Sequence, residues 1–234
     1  MIFATANSKG GVGKTTIAVH LAGWLHAHGF NVLMLDCDPQ QQSAGWIGEA
    51  LPEIPVACMT DPGAILDEVP EFSKTYQAVV ADGSAKLDEV SRALMLVADA
   101  VFIPCKAGGL EARALSLATS FVRQAKKLRC DQPQAVTVLT QVNDRYLLTA
   151  DMEAAAEQLG FPVLDEKLSL SQVYAQAPTD GKLLWQMGSR AKKQALEMDA
   201  VFCTTLAALL DKSGKSEIQK MYDKPKKRVK KRAA

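Results

Sequence analysis

Ser8-Lys9-Gly10-Gly11-Val12-Gly13-Lys14-Thr15-Thr16 follows directly on the apolar run Ile2-Phe3-Ala4-Thr5-Ala6. A buried strand that hands a glycine-rich loop to the start of a helix has the sequence form of a phosphate cradle. Glycines let the backbone curl so that successive N–H groups face a polyphosphate, and the helix presents its positive end to the same oxygens. On this reading Gly10, Gly11, Val12 and Gly13 supply the N–H groups of an ATP site, with Thr16 beside them. Lys14 neutralises the β- and γ-phosphates, and the Thr15 hydroxyl ligates the Mg²⁺ that bridges them. The pattern G-x-x-x-x-G-K-[ST] fails at its first position, where Ser8 stands, and a second lysine, Lys9, follows it.

Working outward, residues 16–28 read as the helix fed by the first strand, with Ile17, Leu21, Trp24 and Leu25 on one face and Gly29 closing it. His20, His26 and His28 on that helix read as packing or surface residues. Residues 31–35 form a second apolar strand that ends in Asp36-Cys37-Asp38-Pro39-Gln40. Carboxylates at the carboxyl end of a parallel strand lie where open α/β sheets bind ligands. The alternative is that these acids cap a helix over 41–50. Residues 56–59 suggest a short strand, and Asp61-Pro62 a helix start. The run 76–81 ends in Asp82-Gly83, the form in which a buried-strand aspartate holds Mg²⁺ through water. A helix over 86–98, a strand over 101–104 and a helix over 110–128 follow, the last with Leu110, Leu117, Phe121 and Leu128 inward. Then come a strand over 135–141, a helix over 149–160, a short last strand at Val163 and Leu164, and a final helix over 189–211 burying Ala195, Met198, Phe202, Leu206 and Leu209. Strands alternating with helices, with acids at the strand ends, predict a doubly wound α/β domain with a mostly parallel sheet.

The charge is unevenly placed. Of 27 basic and 26 acidic residues, ten and two fall in 212–234, leaving 17 against 24 in the body: a net −7 under a tail of net +8. The tail contains Lys224, Lys226, Lys227, Arg228, Lys230, Lys231 and Arg232 within nine residues, a run that cannot pack and is expected to be disordered and to contact DNA phosphates. The chain is thus expected to divide into an ATPase domain, 1–211, and a basic tail, 212–234. Cys37, Cys58, Cys105, Cys130 and Cys203 never fall in a C-x-x-C spacing, so they read as reduced thiols without zinc or cluster, with Cys105 and Cys130 in or near the core. The absence of a secretory signal pattern and of an apolar run near the roughly 18 residues of a membrane span leads to the expectation of a cytoplasmic protein without integral membrane association.

K-G-G-V-G-K-T-T resembles the deviant Walker A motif of the ParA/MinD family of dimeric ATPases, in which the extra lysine, here Lys9, reaches the nucleotide held by the partner subunit. D-x-D-P-Q resembles that family's switch segment; the resemblance assigns Asp38 to orienting the attacking water and Asp36, with Asp82 and Thr15, to the magnesium. Asn143 lies where the family reads the adenine, although a turn-forming Asn is the alternative. Ala177-Pro178-Thr179-Asp180-Gly181-Lys182 resembles the family's A-P-x-x-G-K stretch, which places Pro178 near the nucleotide. The resemblance covers residues 1–211 and is nearest to the small plasmid-partition ATPases. It implies a homodimer that sandwiches ATP and Mg²⁺, holds nonspecific DNA, is nucleoid-associated, and releases the DNA on hydrolysis. Lys9, Lys14 and Asp38 are the catalytic set. With no glutamine or arginine dedicated to the water, turnover is expected to be slow and stimulated by a centromere-binding or adaptor protein. A loop so near the first residue predicts no N-terminal DNA-binding extension and no operator-specific repression. Two alternatives remain: a ParA-like positioner of protein cargo, and a MinD-like membrane-cycling ATPase, for which Ile218, Met221 and Tyr222 are too few apolar residues to build an amphipathic helix.

Overall fold

The first apolar run forms strand β1 (Ile2–Thr5), buried along its whole length, as expected of a strand covered on both faces. The computed structural model describes residues 1–85, 88–106, 111–143 and 162–213. Within them β1 is joined by β2 (Val32–Asp36), β3 (Val56–Cys58), β4 (Ala78–Asp82), β5 (Ala100–Lys106) and β6 (Gln134–Thr140). They form a six-stranded sheet in the order β3-β2-β4-β1-β5-β6, and every pairing is parallel.

Alternate residues of β1, β2, β4, β5 and β6 feed two cores. Phe3, Met34, Val80, Phe102 and Val138 face helices α1 (Lys14–Ala27), α2 (Gln42–Ala50), α6 (Gln172–Thr179) and α7 (Lys192–Ser213). Ala4, Leu35, Ala81, Ile103 and Leu139 face α3 (Pro62–Thr75), α4 (Asp88–Val97) and α5 (Glu111–Leu128). Helices on both faces make the domain doubly wound, as the alternation predicts. Because β1 lies between β4 and β5, the chain leaves it at a topological switch point, where the crevice at the carboxyl ends of the strands is open to a ligand. The register sets Thr5 opposite Asp82 and Asp36 opposite Asp82, so three polar strand ends stand abreast at that crevice.

Helix α1 is buried almost all round rather than on one face: Ala18, Val19, His20 and Ala22 are as inaccessible as Ile17 and Leu21. A side chain at Gly23 would place its Cβ 2.4 Å from Leu183 Cδ1, so only glycine admits the Leu183 contact unstrained. Helix α3 begins as its Asp-Pro signal predicts, with Asp61 accepting a 2.7 Å hydrogen bond from the Ala64 N–H.

Helix α5 departs from the expected facing. Its buried stripe is Leu115, Ala118, Val122 and Ala125, with Phe121 beside it, whereas Leu128 is 74% exposed. Counting on from Ala125 at helical spacing reaches residue 129, and the Arg129 guanidinium takes that place by donating to the Ala98 carbonyl. Leu117 is partly buried, and Leu110 and the expected helix over 149–160 lie outside the described residues. Val163 makes a single parallel bridge with Thr137 in place of a strand. A 3-10 turn at Gly188–Ala191 precedes α7, which buries Met198, Phe202 and Leu206 and keeps Ala195 partly buried; the surroundings of Leu209 are outside the description. Cys37 and Cys105 are buried, but Cys130 is exposed in a turn with φ 50°, and none of the five cysteines forms a disulfide. Among the described residues no helix is long and apolar enough to cross a membrane.

Candidate phosphate site

The loop between β1 and α1 curls through left-handed conformations at Gly11 (φ 72°) and Gly13 (φ 99°), which a side chain would strain. Gly13 is also the N-cap of α1 and supplies no side-chain cap, leaving the first-turn N–H groups to an external acceptor. Two clamps hold the loop. At its start the buried Asn7 donates to the Pro104 carbonyl of β5 at 2.8 Å and accepts from the Lys9 N–H at 2.9 Å. From β6, Thr140 donates to the Val12 carbonyl at 2.8 Å, and Gln141 donates to the Gly11 carbonyl at 2.6 Å.

The Lys14 side chain is buried, and its ammonium donates to the Lys9 carbonyl at 2.9 Å. Burial lowers its proton affinity, while the nearby Asp82 and Asp38 carboxylates act against that loss. Asp82 is 1% exposed and accepts a 3.1 Å hydrogen bond from the Thr5 hydroxyl. Burial first, and then the neighbouring Asp36 charge, push its pKa up to about 6 against hydrogen bonds from Thr15 and Thr5 and the Lys14 charge. The positive charge around this carboxylate does not offset its desolvation. Thr15 and Asp82 therefore present the hydroxyl–carboxylate pair that Mg²⁺ takes when phosphates and water complete its octahedron. Among the described residues no group of three His, Cys, Asp or Glu side chains gathers as a metal site. The donor set suits a cation shared with a nucleotide rather than one held by protein alone.

The two acids after β2 take different duties. Asp36 is fully buried; one oxygen accepts from the Asp38 N–H and the other from the Ala44 N–H in the first turn of α2, both at 2.9 Å. The helix-capping reading thus holds for Asp36. Among the described residues the Asp38 carboxylate accepts a local 2.9 Å bond from the Gln40 N–H, and it is partly exposed, within electrostatic reach of Lys14.

Lys9 is partly buried, and Asn143 follows β6 at intermediate burial. Pro178 falls inside α6. The stretch 177–182 is bound to α2, where the Trp46 indole donates to the Lys182 carbonyl at 3.1 Å. The basic residues at 224–232 lie outside the described residues. His20 bears out the packing reading: its Nδ1–H donates to the Thr16 carbonyl at 2.7 Å and its Nε2 accepts from the Leu184 N–H at 3.1 Å, between the edges of Trp46 and Trp185. Burial lowers its pKa to about 4, so it stays neutral. Sequence reasoning missed Asn7, Thr140 and Gln141. Their only signal is position at strand ends, because the partners they hold are carbonyls far away in the chain.

Residues 3–184 match the family model for the CobQ/CobB/MinD/ParA nucleotide binding domain. The maintenance of carboxysome distribution protein A of Halothiobacillus neapolitanus is 30% identical over 205 residues, covering 85% of this chain and 93% of that protein. The chromosome-partitioning ATPase Soj of Thermus thermophilus is 51% identical over 45 residues, 19% of this chain and 18% of that protein. Among solved structures, apo McdA of Cyanothece has a TM-score of 0.71 at 18% identity, covering 86% of this chain and 98% of that one. The cell division ATPase MinD of Pyrococcus furiosus has a TM-score of 0.61 at 19% identity, covering 84% and 95%. At those identities the structural likeness speaks for the fold alone. With a family model spanning most of its length and a relative aligned almost end to end, the chain belongs to the CobQ/CobB/MinD/ParA nucleotide-binding family.

Proposed function

We propose that the protein is an ATP-driven positioning switch of the ParA type whose cargo is a protein assembly. One observation carries the ATPase reading: the buried Lys14 ammonium donates to the Lys9 carbonyl of a loop curled through Gly11 and Gly13, within electrostatic reach of the Asp82 and Asp38 carboxylates. ATP phosphates would be held by Lys14 and the N–H groups of Gly10 to Thr16, and Mg²⁺ by Thr15 and Asp82. Asp36, in register beside Asp82, retains lone pairs for a metal-bound water while it fixes the loop. When bound, Mg²⁺ neutralises charge on the phosphates. Asp38 would orient water against the γ-phosphate, and Lys9 would act on the nucleotide of a second subunit. Asn143 and Pro178 complete the expected nucleotide contacts.

The protein-cargo reading rests on the length of the alignments. Identity to the carboxysome distribution protein runs through 93% of that protein, whereas the matches to Soj and to the ParA of Caulobacter vibrioides span 45 and 47 residues. DNA segregation, as in a plasmid partition ATPase, is the second reading and is supported by the short matches to Soj and ParA. In both, nonspecific DNA is the track and a partner stimulates hydrolysis; a centromere-binding partner would assign DNA as cargo, an adaptor on a protein assembly the first reading.

The test is a pair of variants titrated with a fluorescent ATP analogue. Lys14→Ala is expected to lose at least about a hundredfold in affinity, since it removes several charge-assisted hydrogen bonds. Lys9→Ala is expected to bind within about threefold of wild type as a monomer, and neither to dimerise nor to hydrolyse ATP, because its charge acts in trans. Equal loss of affinity in both variants would remove the sandwich dimer.

A further inference from the structure

We propose that Thr140 and Gln141 are positioning residues for the phosphate loop, setting its donors for a nucleotide polyphosphate that they do not themselves touch; this rests on the ATP-site reading above. They are consecutive residues at the carboxyl end of β6, two strands away from β1 in the sheet. Each donates to a consecutive carbonyl of the loop: Gln141 to Gly11 and Thr140 to Val12. The Gly11 carbonyl belongs to the peptide that carries the Val12 N–H, and the Val12 carbonyl to the peptide that carries the Gly13 N–H. A peptide whose oxygen accepts a hydrogen bond becomes a better donor through its nitrogen. The two side chains therefore turn both carbonyls away from the cradle and strengthen the two N–H groups that remain to face phosphate.

Three further observations fit this role. Thr140 is only 3% exposed, so its hydroxyl meets the Val12 carbonyl with little competition from water. Gln141 adopts a left-handed backbone, φ 53°, which a non-glycine residue holds only where its surroundings demand it. The absent side chain of Gly13 leaves Thr140 Cγ2 at 3.7 Å from where a Cβ would stand, so the loop lies directly on this residue. The clamp is itself braced: Val142 donates to the Leu168 carbonyl and accepts from the Leu170 N–H. Ser169, between them, gives its N–H and hydroxyl to Glu197 of α7.

The test uses the full chain and a fluorescent ATP analogue with Mg²⁺. Thr140→Val keeps the shape and removes the donor, and is expected to weaken binding about fivefold, the worth of one net hydrogen bond. Thr140→Ser keeps the donor and is expected to return affinity to within about twofold of wild type. Gln141→Ala, at a partly exposed position, is expected to weaken binding about threefold. Thermal unfolding without nucleotide is measured alongside. Affinity unchanged in both Thr140→Val and Gln141→Ala, with only the unfolding temperature lowered, would reduce the clamp to a packing contact and overturn the proposal. If Thr140→Val does not fold, Gln141→Ala decides alone. A folded wild type that does not bind the analogue would instead overturn the ATP-site reading, and the clamp with it.

Discussion

Replacing Asp82 by Asn should make the nucleotide-free protein more stable while removing its magnesium chemistry. The Asp82 carboxyl has an ordinary value of 3.8, and burial raises it to about 6 in the folded chain. An acid that holds its proton more tightly when folded adds stability that is fully present below about pH 4 and is lost as pH rises through about 6. At about 1.36 kcal/mol for each tenfold change in proton affinity, the step from 3.8 to about 6 costs the folded state about 3 kcal/mol at pH 7. An amide in its place carries no charge to desolvate, and its oxygen can still accept the 3.1 Å bond from the Thr5 hydroxyl. Asp82→Asn should therefore raise the unfolding midpoint at pH 7.5 by about 6–12 °C, at about 2–4 °C per kcal/mol for a chain of this size. The gain should shrink towards zero near pH 4. Thermal unfolding followed by circular dichroism at both pH values measures it, and Mg²⁺ with ATP should stabilise wild type more than the variant. A variant no more stable than wild type at pH 7.5, or a gain that does not vary with pH, would refute the account of Asp82 as an undercompensated buried charge.

Asp38→Ala should leave ATP affinity within about threefold and lower hydrolysis at least about a hundredfold, since a group that orients water acts in the transition state more than in the ground state. Light scattering with ATP and Mg²⁺ should then find a trapped dimer, and a monomer would assign the residue another role. Truncation after Asp223 removes the seven cations from Lys224 to Arg232. It should preserve basal ATP hydrolysis and abolish most binding to random-sequence duplex in a mobility shift. For the full chain, log K should fall against log salt with a slope of about −4.5 if about five of those charges engage at once. Unchanged DNA binding by the truncated chain would move the contact onto the folded surface.

By itself the sequence determined what depends on local order. The run from Ile2 into K-G-G-V-G-K-T-T specifies a buried strand, a curled loop and a helix start because each needs only its own neighbours: apolar residues, glycines where φ turns positive, and helix-compatible residues after them. Asp61-Pro62 located a helix start for the same reason, and the apolar runs before Asp36 and Asp82 marked strands that end at a ligand crevice. The facing of α5 was less legible, since Leu128 has the hydrophobicity of a core residue and only the helical phase, continued through Arg129 to the Ala98 carbonyl, puts it in solvent. Which of Asp36 and Asp38 accepts the backbone N–H bonds was beyond the sequence as well. The two residues look alike two positions apart, and which one is buried against backbone N–H groups depends on where α2 begins in space. Only the tertiary structure decided that the phosphate loop is gripped by Asn7, Thr140 and Gln141 and that residues 177–182 bind α2. Those contacts join carbonyls and side chains as many as 136 residues apart. Because a backbone carbonyl is chemically the same at every position, no pattern of residue types records which one a distant hydroxyl or amide will meet.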